Sequence, residues 1–221
     1  MSNSKFTTVG RKVLMALSGF FLVTFLVMHV SINLVSVFSE DAFNTASHFM
    51  GTNPLIQFAM QPILMFGVVF HLGMGIYLEL QNNKARTIKY TYNKPGENSS
   101  WMSRNMIYTG LVIFAFLGLH LYDFWMHEMM VKYINPVEDL SPTRYYHELV
   151  EKFQSPVRVG LYVLAFIALA LHLLHGFQSA FQSVGFNNNK YTPTIKKLGN
   201  IFAILVPGLF IFISIALYLK H

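Results

Sequence analysis

The chain contains no cysteine, and only 12% of its 221 residues are charged. Without cysteine it cannot form disulfides, hold an iron–sulfur cluster through thiolates or attach a c-type haem covalently. Any bound metal must therefore be held by histidine, methionine or oxygen ligands. The charged fraction is about half that of an average soluble domain, so the chain cannot cover a surface that faces water.

Hydrophobic residues make up 53% of the sequence, with 21 Phe and 12 Met. Five runs meet the requirement of about 20 apolar residues for crossing a bilayer. We place the spans at about 13–38, 55–80, 105–128, 157–181 and 198–219. We interpret the whole chain, residues 1–221, as a single all-α membrane domain, a bundle of five transmembrane helices.

Local signals mark the ends of several helices. Asn53-Pro54 and Ser155-Pro156 predict capped N-termini for the second and fourth spans. A short polar helix is predicted from Ser141-Pro142 to about Phe153, lying on the outer surface. Aromatic residues near span ends are typical of the belts at membrane interfaces. They are Trp101, Tyr108, Tyr122, Trp125 and Tyr162.

Loop charge indicates the orientation in the membrane. The N-terminal segment and the 81–104 and 182–197 loops together hold 11 of the 16 Lys and Arg residues, whereas the 39–54 loop has none. By the positive-inside rule, the N-terminus is cytoplasmic and the C-terminus is outside. Because the net charge of +6 comes from these loops, it indicates membrane topology and not a nucleic-acid partner.

Four histidines lie deep inside the apolar runs. His29 and His120 lie about 24 Å along two outward-running spans, and His71 and His172 lie about as far along two inward-running spans. Depth therefore pairs His29 with His120 in the outer half and His71 with His172 in the inner half, about 10 Å apart along the membrane normal. Since histidine is an axial ligand of haem iron, two facing pairs predict a di-haem b cytochrome.

Small residues lie one helical turn before and after each inner histidine, on the same helix face. They are Gly67 and Gly75 around His71, and Ala168 and Gly176 around His172. Such residues let a flat porphyrin lie close to a helix, although they are also typical of helix packing.

We take Gly75 and Gly176 as candidate haem contacts. Ser18, three turns inward of His29 on the same face, is a third. His175 competes with His172 as a ligand but matches the depth of the pair less well.

The same histidines are also compatible with a protein that holds no haem. A single histidine in a membrane helix is more often a hydrogen-bonded contact between helices than a metal ligand. Intramembrane ionisable residues also mark transport paths, so a transporter or scaffold without haem is an alternative.

With these residues in place, the chain resembles the cytochrome b membrane anchor of succinate dehydrogenase and fumarate reductase. The form it resembles is the single-chain, five-helix, di-haem anchor of bacteria that use menaquinone. The resemblance rests on one histidine in each of the first four spans. Local motifs agree with it: Ser18-Gly19, Phe70-His71 and His172-x-x-x-Gly176.

The resemblance implies that His71 and His172 bind the iron of a proximal haem b, near the cytoplasm. His29 and His120 would bind the iron of a distal haem b. A flavoprotein subunit with FAD and an iron–sulfur subunit would dock on the basic cytoplasmic loops, the 81–104 loop being the largest. These partners, and not this chain, would carry the succinate or fumarate site.

The resemblance further implies electron transfer between those subunits and membrane quinone, with menaquinone expected, in the inner membrane of a bacterium. The b-type quinone-reactive anchor of a formate dehydrogenase or hydrogenase is an alternative. In this class the quinone site lies toward the distal haem, where Asn33, Asp123 and His127 are the candidates. Related fumarate reductases move protons through a glutamate at the position of Ala170, so a proton path of that kind is not expected here.

Overall fold

The computed structural model describes residues 7–85, 101–134 and 141–220. Among these residues the secondary structure is helical, and no strand occurs. Five of the described helices are long and apolar enough to cross a membrane: Thr8–Phe38, Ile56–Lys84, Met106–Ile134, Pro156–Ser183 and Thr192–Lys220. The predicted all-α architecture with five membrane spans is confirmed. Most of the 81–104 loop, the expected docking platform, lies outside the described residues.

We label seven helices in chain order: α1 (Thr8–Phe38), α2 (Glu40–Thr52), α3 (Gln61–Ala85), α4 (Met106–Ile134), α5 (Arg144–Phe153), α6 (Pro156–Ser183) and α7 (Thr192–Lys220). A π-helical turn, Ile56–Met60, precedes α3, and α4 contains π-helical segments at Leu121–Met126 and Met130–Ile134. The end of the bundle that carries α2 and α5 is called the outer end, after the orientation that loop charge predicts.

Side-chain caps start several helices where the sequence indicates. The Ser155 hydroxyl accepts a hydrogen bond from Arg158 N, and Pro156 occupies the first helical position of α6. The Asn53 side chain accepts from Leu55 N at 3.0 Å. Both predicted N-termini are therefore confirmed.

The 39–54 segment, expected to be a loop, contains a helix of 13 residues, α2. Its signal is present in the sequence, because Ser39 is a good N-cap residue followed by two acids. In the structure the Ser39 hydroxyl accepts from Ala42 N, while Glu40 and Asp41 lie in the first turn, where acidic side chains interact favourably with the helix dipole.

The buried apolar core lies at the outer end of the bundle. It combines residues of α1, α2, α5, α6 and α7, including Val30, Phe43, Phe153, Phe166 and Phe210. Toward the inner end, α6 and α7 approach closely at Gly199, where a Cβ would lie 2.7 Å from the Phe177 ring. The outer histidine pair lies against this core, since Phe153, Phe166 and Phe210 line the same cavity as His29 and His120.

Candidate functional site

The structure brings the four intramembrane histidines together as two facing pairs. His29 on α1 faces His120 on α4, with ring centroids 5.7 Å apart and an interplanar angle of 84°. His71 on α3 faces His172 on α6, with centroids 6.3 Å apart and an angle of 64°. These are the partners predicted from the depth of each histidine, and His172 rather than His175 is the ring opposite His71.

These separations fit two imidazoles that share one metal ion. Bonds of about 2 Å from a metal to each imidazole nitrogen put the two ring centres about 6 Å apart. The described residues contain no cluster of three or more His, Cys, Asp or Glu side chains that could hold a metal. The ligands that each pair offers are therefore two imidazoles, which would suit an iron whose other ligands come from a porphyrin.

The two pairs are further apart than the sequence indicates. Ser18 on α1 lies beside His71, and Thr109 on α4 lies beside His172. Each of these residues is eleven positions from the outer histidine of its own helix, which is about 16 Å at 1.5 Å per residue. This separation is larger than the expected distance of about 10 Å, which assumed that the spans begin at one level, whereas α1 begins at Thr8, before its predicted span.

Hydroxyl groups hold the inner pair. The Ser18 hydroxyl donates to the Met15 carbonyl at 2.8 Å and lies 2.9 Å from His71 Nδ1. Its single hydrogen is committed to the carbonyl, so the oxygen accepts the Nδ1–H of His71. This fixes the tautomer that leaves the Nε2 lone pair free for a metal.

Thr109 repeats this arrangement on the other side of the site. Its hydroxyl donates to the Met106 carbonyl at 2.9 Å and lies 3.3 Å from His172 Nδ1. Sequence reasoning found Ser18 but missed Thr109.

A signal for Thr109 is present in the sequence as a spaced repeat. Met15-x-x-Ser18-Gly19 precedes His29 with nine residues between, and Met106-x-x-Thr109-Gly110 precedes His120 with the same spacing. Gly19 and Gly110 both lie against the inner rings: a Cβ on either would be 3.7 Å from the nearest imidazole carbon. The α1–α3 and α4–α6 pairs therefore build equivalent halves of the inner site.

The predicted small residues line the inner site as well. A Cβ at Gly75 would lie 3.6 Å from the Met15 methyl carbon, and one at Gly176 would lie 3.1 Å from that of Met106. Flexible methionine side chains thus occupy the space over both glycines, next to the ligand rings. Gly67 instead permits close contact with the Phe21 ring, at 2.7 Å from a Cβ position, which is a packing role.

The outer pair lines a cavity of ≈ 130 Å³ with almost entirely apolar walls. The Phe25 ring stacks on His29 with centroids 5.2 Å apart, and the Phe116 ring stacks on His120 at 5.7 Å. Such walls keep water away from the two imidazole rings. Tyr162, expected in an interfacial belt, is 2% exposed and lines this cavity; it belongs to the site because α5 covers its end of α6.

The three quinone candidates lie in different surroundings. Asn33 lines the cavity, and its amide donates to the His29 carbonyl at 2.9 Å. Asp123 is buried and accepts a hydrogen bond from Tyr162 at 3.0 Å. The His127 side chain is 42% exposed and lies next to Glu148, with 3.6 Å between nitrogen and oxygen, so it is not part of the outer site.

Two comparisons with known proteins identify the same kind of membrane subunit. The model of the succinate dehydrogenase/fumarate reductase transmembrane subunit family matches residues 79–211, more than half of the chain. The succinate dehydrogenase cytochrome b558 subunit of Bacillus subtilis (strain 168) is 22% identical over 158 residues, which cover 70% of this chain and 69% of that relative. No solved structure matches the chain. The chain belongs to the succinate dehydrogenase/fumarate reductase transmembrane subunit family and is a membrane cytochrome b subunit of such a complex.

Proposed function

We propose that the chain is a di-haem cytochrome b that passes electrons between the catalytic subunits of its complex and membrane quinone. His71 and His172 would bind the proximal haem b, and His29 and His120 the distal one. The observation that carries this proposal is the facing of the two ring pairs, with centroids 6.3 and 5.7 Å apart. Membership of the family supports haem b as the group bound.

Haem b, when bound, supplies reversible one-electron transfer through its iron. The chain's own residues supply the ligands, set their tautomer and keep water out. Ser18 and Thr109 hold the inner imidazoles with Nε2 directed away from the hydroxyls. Apolar rings surround the outer pair. The separation of the pairs by about 16 Å along the helices provides an acceptor position in each half of the membrane.

The partners in this proposal meet opposite ends of the bundle. The flavoprotein and iron–sulfur subunits dock at the inner end, where Arg11 and Lys12 lie in the first turns of α1, and Lys196 and Lys197 in the first turns of α7. This end faces the cytoplasm of a bacterium, and the C-terminus faces outward. Menaquinone binds toward the outer pair. Asn33 is the best placed of the quinone candidates, since it lines the cavity beside His29.

Family membership favours this function over the anchor of a formate dehydrogenase or hydrogenase. The test is purification of the intact complex through a tag on this chain. We expect a co-purifying flavoprotein with covalent FAD, two haem b per chain by pyridine haemochromogen assay, and reduction of haem by succinate. A colourless chain, or one without the flavoprotein, would overturn the proposal.

A further inference from the structure

We infer that Tyr162 is a positioning residue for His120: it holds the imidazole from one side, is itself held by buried Asp123, and so sets the midpoint potential of the outer haem. This inference rests on the proposed function. It assigns a role to three residues, Tyr162, Asp123 and Arg158, that binding of the iron does not itself require.

The direction of the hydrogen bonds follows from the single hydrogen of the tyrosine hydroxyl. Tyr162 Oη donates to Asp123 Oδ2 at 3.0 Å, so it cannot also donate to His120. The same oxygen lies 3.4 Å from His120 Nδ1, which must therefore supply the hydrogen. His120 is thus held as the Nδ1–H tautomer, with the Nε2 lone pair free for iron.

Asp123 is well placed to fix this tyrosine. It lies three residues after His120 on the same helix face, and its side chain is 1% exposed. Its second oxygen, Oδ1, has no well-formed hydrogen bond, although Arg158 Nη2 lies 3.2 Å away. The bond from Tyr162 is therefore the carboxylate's main hydrogen bond in the structure, and bonds to a charged acceptor are roughly twice as strong as neutral ones.

Aromatic neighbours prevent the Tyr162 ring from swinging away. Its centroid lies 4.8 Å from Phe116 and 5.1 Å from Phe153, both in edge-to-face contact. Phe116 in turn stacks on His120. Because the Tyr162 ring is already held in place, its hydroxyl contacts His120 and Asp123 without a further loss of tyrosine side-chain entropy when haem binds.

The outer site differs from the inner site in the charge at the end of this chain of bonds. Ser18 and Thr109 pass their hydrogens to neutral backbone carbonyls, whereas Tyr162 passes its hydrogen to a carboxylate. A carboxylate makes the tyrosine oxygen a stronger acceptor, which raises the basicity of the His120 ring. A more basic ligand and a nearby negative charge both favour ferric over ferrous iron, so they lower the potential.

The test is a redox titration of both haems in the intact complex, followed optically. The outer haem is identified as the one lost in His29→Ala. We expect Tyr162→Phe and Asp123→Asn to shift the midpoint potential of that haem upward and leave the other unchanged. Arg158→Gln removes a positive charge from Asp123 and should shift it downward. The matched control is Tyr146→Phe, which removes another buried hydroxyl of the outer core and should shift neither.

The outcomes separate this inference from the proposed function. An unshifted outer potential in Tyr162→Phe, with both haems bound, would overturn the inference and leave the di-haem proposal standing. Absence of haem in the unaltered complex would overturn the proposed function itself. If Tyr162→Phe does not assemble, Asp123→Asn keeps the tyrosine ring and decides the question by the same upward shift.

Discussion

Replacing Ser18 by alanine should loosen the inner haem and spare the outer one. The Ser18 oxygen lies 2.9 Å from His71 Nδ1 and is the acceptor that fixes this ring. Alanine removes the acceptor with little change in volume. The Nδ1–H of His71 is then left without a partner inside the bundle, and the ring can rotate away from the iron.

The expected size of this effect follows from the cost of an unpaired buried donor. That cost is about 1–3 kcal/mol, and about 1.4 kcal/mol corresponds to a tenfold change in affinity. We therefore expect inner haem binding to weaken by roughly 5- to 150-fold, in the range found when groups that orient metal ligands are removed. Thr109→Val should have a smaller effect, since its contact with His172 is longer, at 3.3 Å.

The assay is the rate at which the detergent-purified complex loses haem to an excess of apo-globin, read at the wavelengths of each haem. Ser31→Ala is the matched control, because Ser31 lies on the same helix, is exposed, and bonds only within it, to the Val27 carbonyl at 2.7 Å. Equal rates of inner haem loss in Ser18→Ala and Ser31→Ala would refute the role given to Ser18.

Three further predictions concern packing and charge. Gly75→Leu should abolish inner haem binding, because the new leucine side chain would enter the inner site. Gly73→Leu should retain both haems, because a Cβ at Gly73 meets open space. Gly199→Ala should lower the thermal unfolding temperature in detergent, since overpacking against the Phe177 ring costs about 1–3 kcal/mol. Gly208→Ala should leave that temperature unchanged, because a Cβ at Gly208 meets open space. Glu128→Gln should destabilise the outer end by about 1–3 kcal/mol, because this carboxylate pairs with a lysine and an arginine that are each at most 14% exposed. Arg144 keeps its pair with Glu148. An unchanged unfolding temperature would contradict this.

The sequence is sufficient to predict the spans and the histidine partners because both depend on properties local to each helix. Apolar runs long enough to cross a bilayer have few alternative structures, since unpaired backbone groups are costly in lipid. The position of a histidine along its run then determines its depth. For this reason His29, His71, His120 and His172 could be sorted into two pairs without coordinates.

The residues that hold the ligand rings could not be predicted in the same way, because they depend on how neighbouring helices rotate and slide. Tyr162 lies six residues into α6, where hydropathy favours an interface. In the structure Phe153 of α5 packs against its ring, and its hydroxyl lies 3.4 Å from His120 Nδ1. Thr109 was accessible in principle through the repeat it shares with Ser18, but an isolated threonine in an apolar run carries no signal of its own.

The distance between the pairs was underestimated because apolar length does not locate the end of a helix. Capping by Thr7, whose hydroxyl accepts from Gly10 N at 3.1 Å, starts α1 before its apolar core. A helix that continues beyond the hydrocarbon moves its deep residues relative to its ends. Levels inferred from contacts, such as that between Ser18 and His71, do not have this error.

The central claim, that the four histidines bind two haems as fixed partners, is tested most directly by the haem spectra of the four single His→Ala variants. We predict two classes of variant, each retaining one haem. His29→Ala and His120→Ala should lose the same haem, and His71→Ala and His172→Ala should lose the other. Loss of one haem in common by His29→Ala and His71→Ala, or retention of both haems in any of the four variants, would contradict it.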